Sequence, residues 1–439
     1  MNIVIDGLNL QLSYTTGIGT YARELSKILT ENGHEIYPLY AYDKISNDPN
    51  IAWSHIIQNL SHSAPDKKTI FQSLLQYGRY GLSHYFFPLK ANEIQADPHV
   101  NITAVANKLP PCNRLLNLSN FKSTCAAYGS FGHHPISVTL PKHLNIDLIH
   151  MTYPIPIRVK KVTNVLTIHD IIPIVLPHST QDNLQRYRHL LNTTIKHADI
   201  VFTVSEHSKH DILNYFDVPE EKLHVTYQTV NIPPAYRELD KETVSLFLER
   251  SFGLNYKEYF LFYGAIEPKK NVYRLLEAMT LVKTTYPIVI VGKDGWLYHD
   301  VNQFLQSLQQ VPSTRDRVHR IPYVSFHQLM YLLSGARGLV FPSLYEGFGL
   351  PILEAMQMGC PIITSNTTSL PEVAGKAAIY VNPTSIEEIS AAIDKLSSDD
   401  TLCQDLQRKG YQQADKFSPE KYLRNVEKGY KMARQLHSD

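Results

Sequence analysis

The segment Pro342-Ser-Leu-Tyr-Glu-Gly-Phe-Gly-Leu-Pro-Ile-Leu-Glu-Ala-Met356 holds the densest set of groups able to do chemistry. Glu346 and Glu354 stand eight positions apart, with Gly347 and Gly349 between them. The segment follows an apolar run, Gly338-Leu-Val-Phe341, and leads into a helix expected to open near Pro351, a favoured first helical residue. Glycines let backbone amides approach a ligand closely. A helix N-terminus adds partial positive charge, which suits a diphosphate. Glu354, placed in the first helical turn, is suited to accept hydrogen bonds from two ribose hydroxyls, and Glu346 to reach a sugar. One solvated and one helix-capping glutamate would be the bland account of the same pair. The glycines and the strand–loop–helix placement favour the functional one.

Four further groups are weaker alone. Lys269 and Lys270 sit between an expected strand and helix. Opposite two phosphates each would contribute about 1.5–3 kcal/mol, although a basic pair is more often plain surface. His169 ends the apolar run Val165-Leu-Thr-Ile, at the carboxyl end of a strand where α/β sites gather. A lone histidine is more often structural, and Asp170 either orients it or starts the next turn. Gly17 and Gly19 lie between the first strand and first helix, a place for phosphate or for an ordinary tight turn. Pro322-Tyr-Val-Ser325 follows a strand and reads as a strand-to-helix loop with Ser325 as the N-cap. His207 and His210 have helical spacing for a metal, but no carboxylate or Cys partner is evident, so no metal site is expected.

These groups need two scaffolds. The run Ile3 to Ile5, a helical pattern with Tyr21, Leu25, Ile28 and Leu29 on one face, and the run Ile36 to Tyr40 form a βαβ unit and imply a parallel sheet. Asp147-Leu-Ile-His, Val165 to His169 and Asp199-Ile-Val-Phe-Thr-Val continue it. A second set starts near Glu242, with strands at Tyr259–Tyr263, Ile288–Val291, Arg317–Ile321 and Gly338–Phe341, and a last helix from Pro419 to about Gln435. Residues 51–144 resist this reading: a helical pattern near Phe71–Tyr80 gives way to an aperiodic stretch. Between Ile51 and Lys161 eleven basic residues face four acidic ones, an excess of seven. With Tyr77, Tyr80, Tyr85, Phe86 and Phe87 nearby, that stretch fits an anionic acceptor or membrane surface, or else a solvated loop.

Composition narrows the class. The 439 residues are 43% hydrophobic, enough for a large core and two or three domains. Formal net charge is +1, which gives no case for a nucleic-acid partner. The four cysteines, Cys112, Cys125, Cys360 and Cys403, form no CxxC pair and read as reduced thiols of a cytoplasmic protein. Asp6 cuts the first apolar run short, so no secretion signal is expected, and Asn-x-Ser/Thr matches carry no weight. No run approaches the roughly 18 apolar residues of a membrane helix, so attachment would be peripheral.

Taken together, the motifs resemble the retaining glycosyltransferases of family 4. The Glu346/Glu354 element is the most specific. Thr16-Gly-Ile-Gly19, Thr167-Ile-His-Asp170, Val204-Ser-Glu-His-Ser-Lys209, Gly264-Ala-Ile-Glu-Pro-Lys-Lys-Asn271, Gly292-Lys-Asp-Gly-Trp296 and Ser369-Leu-Pro-Glu-Val-Ala-Gly375 follow in the family's order. The resemblance covers most of the chain except roughly residues 50–140. It implies an α/β protein of the GT-B fold: two Rossmann-like domains around a cleft, with the C-terminal helix crossing back. Residues 1–240, with 417–439, would bind the acceptor, and 241–416 the nucleotide sugar. The resemblance implies a donor site of Gly17, Gly19, Lys269, Lys270, Tyr323, Val324, Glu346, Gly347, Phe348, Gly349, Leu350 and Glu354. His169, Glu346 and Lys270 would act in catalysis. Many relatives carry an arginine where Ala265 stands, so Lys269 would supply that charge. The implied reaction is metal-independent and needs no cofactor beyond the donor. The versions of Thr167–Asp170 and Glu267–Asn271 resemble bacterial surface-polysaccharide mannosyltransferases, which points to GDP-mannose and a glycan or lipid-linked acceptor. UDP-glucose, UDP-N-acetylglucosamine and dTDP-rhamnose also fit. A GT-B epimerase or phosphorylase lacks its own residue pattern here, and a non-catalytic nucleotide-sugar binder is the reading from another class.

Overall fold

A computed structural model describes residues 1–11, 17–43, 45–46, 48–61, 87–106, 108–119, 121, 125, 134–180, 183–311 and 314–438. Two sheets organise them. The first has eight strands, in the spatial order Leu223–Val225, Ile200–Thr203, Thr163–Ile168, Leu148–Met151, Asn2–Asp6, Glu35–Tyr40, Arg114–Asn117 and Asn92–Gln95. All are parallel except Asn92–Gln95, which runs antiparallel at the edge. The second has six parallel strands, ordered Val318–Ile321, Ile288–Val291, Phe260–Tyr263, Gly338–Phe341, Ile362–Ser365 and Ala378–Val381. In chain order this is 3-2-1-4-5-6, the doubly wound dinucleotide-binding order, whose ligands sit beyond the carboxyl ends of the strands.

The sequences explain the sheets. Ile288-Val-Ile-Val and Ile200-Val-Phe-Thr are buried at every position, as parallel strands covered on both faces must be. The second lobe has its own large core, built around Phe260, Phe262, Leu339, Phe341, Ile362 and Ile363. Residues 51–144 are more regular than their composition suggests. They include most of the helix Pro49–Ser61 and four strands, two of which extend the first sheet. Those strands have two to four residues, too short for periodicity to register. Phe71–Tyr80 lies outside the described residues.

The final helix, Pro419–Ser438, leaves the second lobe and returns to the first. Tyr422, Val426, Tyr430 and Ala433 pack among Ile3, Ile5, Leu25 and Phe202. Gly429 permits this approach, since a Cβ there would stand 2.4 Å from the Phe202 ring. The contact is also polar. His150 meets the Tyr430 hydroxyl at 2.8 Å and Thr167 at 2.7 Å, and Thr167 meets the Tyr21 hydroxyl at 3.1 Å. Burial drives the His150 pKa down to about 3, so a neutral ring joins the helix to the sheet.

Candidate active site

The site lies where the carboxyl ends of both sheets face each other. His169 follows the strand Thr163–Ile168. Its Nε2 lies 3.0 Å from the Thr152 carbonyl oxygen, and its Nδ1 lies 3.0 Å from Gln228 Nε2. A carbonyl only accepts and an amide nitrogen only donates, so these partners assign a neutral ring carrying its proton on Nε2. Burial lowers the His169 pKa, partly offset by Asp170 and by the Thr152 carbonyl. The Tyr21 ring stands edge-on at 4.8 Å and fixes the imidazole plane. Asp6, at the end of the strand Asn2–Asp6, accepts from both the amide and the hydroxyl of Thr152. Burial raises the Asp6 pKa to about 6. Asp170 does not orient His169. Its carboxylate accepts from the Ile172 amide and starts the next turn.

The second lobe supplies the charges. The short turn Pro268–Lys270 follows the strand Phe260–Tyr263. Lys270 Nζ meets Glu346 Oε1 at 2.6 Å and stands 5.0 Å above the Phe341 ring. Lys269 meets Glu267 at 3.4 Å. Burial opposes the Lys269 charge, but Asp170, Glu267 and Glu346 outweigh it and hold its pKa above the ordinary lysine value. Glu267 is itself raised by burial, against the pull of Lys269 and Lys270.

The glycine loop behaves as its composition requires. Gly349 has φ 104°, a left-handed conformation that glycine adopts without strain, and it opens the helix Leu350–Gln357. No backbone partner takes the amides of Gly347, Phe348, Gly349 or Leu350 among the described residues. Gly349 is the N-cap and Leu350 the first helical residue, so these amides lie at and just before a helix start, a place suited to an anion. The Phe348 side chain is buried in the core, so its amide is the group left for a ligand. Glu354 lies in the second turn rather than the first, and receives the Tyr263 hydroxyl. Burial raises its pKa to about 7, countered by that hydroxyl.

Other predicted positions sit at the margins. Gly17 and Gly19 belong to the first turn of the helix Gly17–Glu31, not to a loop before it, while Thr16 lies outside the described residues. Tyr323 is 70% exposed with the Lys293 ammonium 5.6 Å from its ring, and Val324 packs on the core. Ser325 forms a full capping box with Gln328. Several participants carry no sequence signal because their roles depend on distant partners: Thr152, Gln228, Tyr263 and Asp6. Most telling is the junction of the lobes. The Gly347 carbonyl accepts from Ser205 Oγ at 2.7 Å, and the single Ser208 hydroxyl proton lies between two acceptors, the His169 carbonyl at 3.0 Å and the Gly347 carbonyl at 3.1 Å. A Cβ on Gly347 would stand 2.3 Å from that His169 carbonyl oxygen.

Two Rossmann-like lobes, a crossing C-terminal helix and this cleft define a GT-B glycosyltransferase. The solved structures similar to it have the same architecture. Sucrose-phosphate synthase from Thermosynechococcus elongatus matches with a TM-score of 0.66 at 16% identity, covering 98% of each chain. Anabaena Alr3699/HepE in complex with UDP-glucose matches at 0.63 and 14% identity, covering 98% of this chain and 99% of that one. Residues 125–232 match the family described as Glycosyltransferase Family 4, and residues 248–413 that described as Glycosyl transferases group 1. O-antigen chain mannosyltransferase B of Escherichia coli is 32% identical over 276 residues, 61% of this chain and 70% of that protein. O-antigen chain mannosyltransferase RfbU of Salmonella typhimurium is 32% identical over 235 residues, 53% of this chain and 60% of that protein. The chain belongs to the family 4 glycosyltransferases, and it is an enzyme of glycosyl transfer.

Proposed function

We propose that this enzyme moves mannose from GDP-mannose to a hydroxyl of a glycan or lipid-linked glycan, with retention of anomeric configuration and without a metal. The observation that carries the reading is the glycine loop, whose amides from Gly347 to Leu350 have no backbone partner among the described residues, joined through Glu346 to Lys270 and through the Gly347 carbonyl to the segment that holds His169. A diphosphate would take the lysines and the amides of Gly347 to Leu350, so the leaving group's growing charge meets donors already in place. The bond from the anomeric carbon to the phosphate oxygen breaks. The acceptor oxygen bonds that carbon on the same face, and its proton passes to the departing phosphate. His169 and Glu346 hold the sugar, Glu354 the ribose, and Tyr323 and Val324 the base. In this reading residues 241–416 carry the donor, and residues 1–240 carry the acceptor.

The mannose assignment is supported by the two O-antigen relatives at 32% identity, which outweigh neighbours at 14–16% named for other sugars. Surface-polysaccharide synthesis at the inner face of the membrane suits the same relatives. No helix among the described residues is long and apolar enough to cross a membrane. Phe87, 71% exposed, joins Lys142, Lys160 and Lys161 around a cavity of about 490 Å³. These residues precede or flank strand starts, away from His169 at a strand end, so they suit attachment to an anionic surface better than contact with the reacting hydroxyl. Tyr77, Tyr80, Tyr85 and Phe86 lie outside the described residues, as do Lys67, Lys68, Arg79 and Lys122.

The test is donor hydrolysis with radiolabelled GDP-mannose, UDP-glucose, UDP-N-acetylglucosamine and dTDP-rhamnose, with and without EDTA. Turnover of GDP-mannose that survives chelation, with an α product by NMR, is expected. Preference for another nucleotide sugar overturns the donor. EDTA loss restored by magnesium overturns the role given to the lysines, and an inverted product overturns same-face attack.

A further inference from the structure

A second cavity, of about 780 Å³, opens between the lobes beside the candidate active site. Its first-lobe wall is the turn at Leu176–Ser179, and its second-lobe wall runs from Ile266 to Arg274. Glu267 belongs to both places. It lines this cavity and also pairs with Lys269, whose charge is set by Asp170 and Glu346. The cavity therefore shares a wall with the groups that would surround the transferred sugar.

Its chemistry is not that of a second nucleotide site. Arg274 and His178 are matched by Glu267 and Asp300, so no excess of positive charge awaits a phosphate. Arg274 also donates to Asn271 at 3.0 Å. What the wall offers is a ring face and hydroxyl partners. Tyr273 is 40% exposed and is steadied by stacking on Phe304, with centroids 5.1 Å apart. The Thr367 hydroxyl is buried and has no partner. A buried polar atom without a partner is uncommon, and rotation about χ1 would turn this hydroxyl toward the cavity that Thr367 lines. An exposed tyrosine face beside carboxylate, guanidinium and hydroxyl groups matches the apolar C–H face and polar rim of a sugar. At this volume the cavity accommodates more than one ring.

The cavity also depends on lobe closure. The Trp296 indole donates to the Ser179 carbonyl at 2.5 Å, a bond between the lobes at the cavity's edge. A ligand that touches both walls would favour the closed state.

We propose that this cavity binds the part of the acceptor beyond the ring that is attacked, as a subsite for a neutral oligosaccharide whose far end reaches from the first lobe onto the donor lobe. This rests on the reading of the protein as a transferase with a glycan acceptor. The probes are α-linked manno-oligosaccharides of one to four residues, titrated by NMR with GDP present. The tetrasaccharide is expected to bind at least about tenfold more tightly than mannose. Tyr273→Ala and Thr367→Val should each remove most of that gain while leaving mannose and GDP affinity unchanged. Thr367→Val keeps the side chain's shape and breaks no internal hydrogen bond, so its fold is preserved. Equal affinity for mannose and the tetrasaccharide overturns the subsite, as does tetrasaccharide binding unaffected in both variants. The GDP titration reports on the donor reading separately: oligosaccharide gain without GDP binding sinks that reading and upholds this one.

Discussion

Replacing Gly347 by alanine isolates lobe closure from folding. The new Cβ would stand 2.3 Å from the His169 carbonyl oxygen and 3.1 Å from Asp170 Cβ. The nearer atom is backbone, so no side chain can swing away. The loop must retreat until that contact reaches at least about 3.0 Å, the lower limit for real Cβ contacts. The Ser205 hydroxyl now at 2.7 Å from the Gly347 carbonyl would then be stretched or lost, while the single Ser208 proton can turn to the His169 carbonyl. At about 1 kcal/mol for that bond, closure is weakened roughly fivefold. Gly347 has no left-handed φ, so the backbone of the variant is unstrained. The expected result is a loss of at least about fivefold in kcat/KM for the donor, with Tm close to wild type and GDP affinity lowered as well, because the displaced loop carries the Gly347–Leu350 amides. Gly410→Ala is the control. Its Cβ would find nothing nearer than 3.6 Å, and alanine in a helix interior should stabilise by up to about 1 kcal/mol. Wild-type kcat/KM in Gly347→Ala would refute the idea that this carbonyl contact forms during turnover. A collapse of Tm would refute the separation of closure from folding.

Glu354, raised to about 7 by burial, should make GDP binding pH-dependent. In the proposed donor site the carboxylate accepts from the ribose hydroxyls, so affinity should rise as pH increases through about 7; calorimetry from pH 5.5 to 8.5 should lose this trend in Glu354→Gln, whereas Glu346→Ala should keep it and lower kcat instead. Asp6→Ala removes the acceptor for the Thr152 amide and hydroxyl, and thereby loosens the carbonyl that holds His169. A loss of about tenfold in kcat with unchanged GDP affinity is expected, and wild-type kcat would show that His169 needs no such support. Tyr430→Phe leaves buried His150 without a partner on Nδ1 and should cost about 1–3 kcal/mol, seen as a lower denaturant midpoint; an unchanged midpoint would mean the crossing helix is held by its apolar contacts alone.

The sheets were legible because their strands are short apolar runs that end at chemically distinct residues. Val165 to His169 shows its carboxyl end by the change from apolar to polar, and Phe341 gives way to Pro342 and the glycine loop. The charged groups were legible as types, since Lys269, Lys270, Glu346 and Glu354 keep family spacing. Their partners were not. Gln228 is 59 residues from His169, and Tyr263 is 91 from Glu354, so neither pair leaves a local pattern. Gly347 was read as a glycine that lets amides approach a ligand. Its other neighbour is the chain itself, at the His169 carbonyl, and sequence gives no measure of that gap. The strands Asn92–Gln95 and Arg114–Asn117 were missed because polar residues interrupt them, so neither shows the apolar run that marks the equally short Ile288–Val291.

The charge pattern of the cleft has its own logic. Two lysines largely withdrawn from water would be costly without anions beside them. Glu346 and Glu267 provide those anions, with Asp170 adding its field across the lobe junction. Each ammonium still carries three donors, and a single carboxylate contact does not use them all. A diphosphate can therefore bind without expelling Glu346, which remains as the strut that aims Lys270. In the proposed donor complex the same carboxylate would face the sugar, so one ion pair would link donor charge to sugar position. On the other side, neutral His169 adds no cation to repel an oxocarbenium-like centre, and its ring is held by Thr152, Gln228 and Tyr21. Positive charge is thus concentrated on the phosphate side, and the face toward the breaking sugar bond is lined by neutral or negative groups. A bond that breaks with charge moving from sugar to phosphate is favoured by that asymmetry before any residue moves.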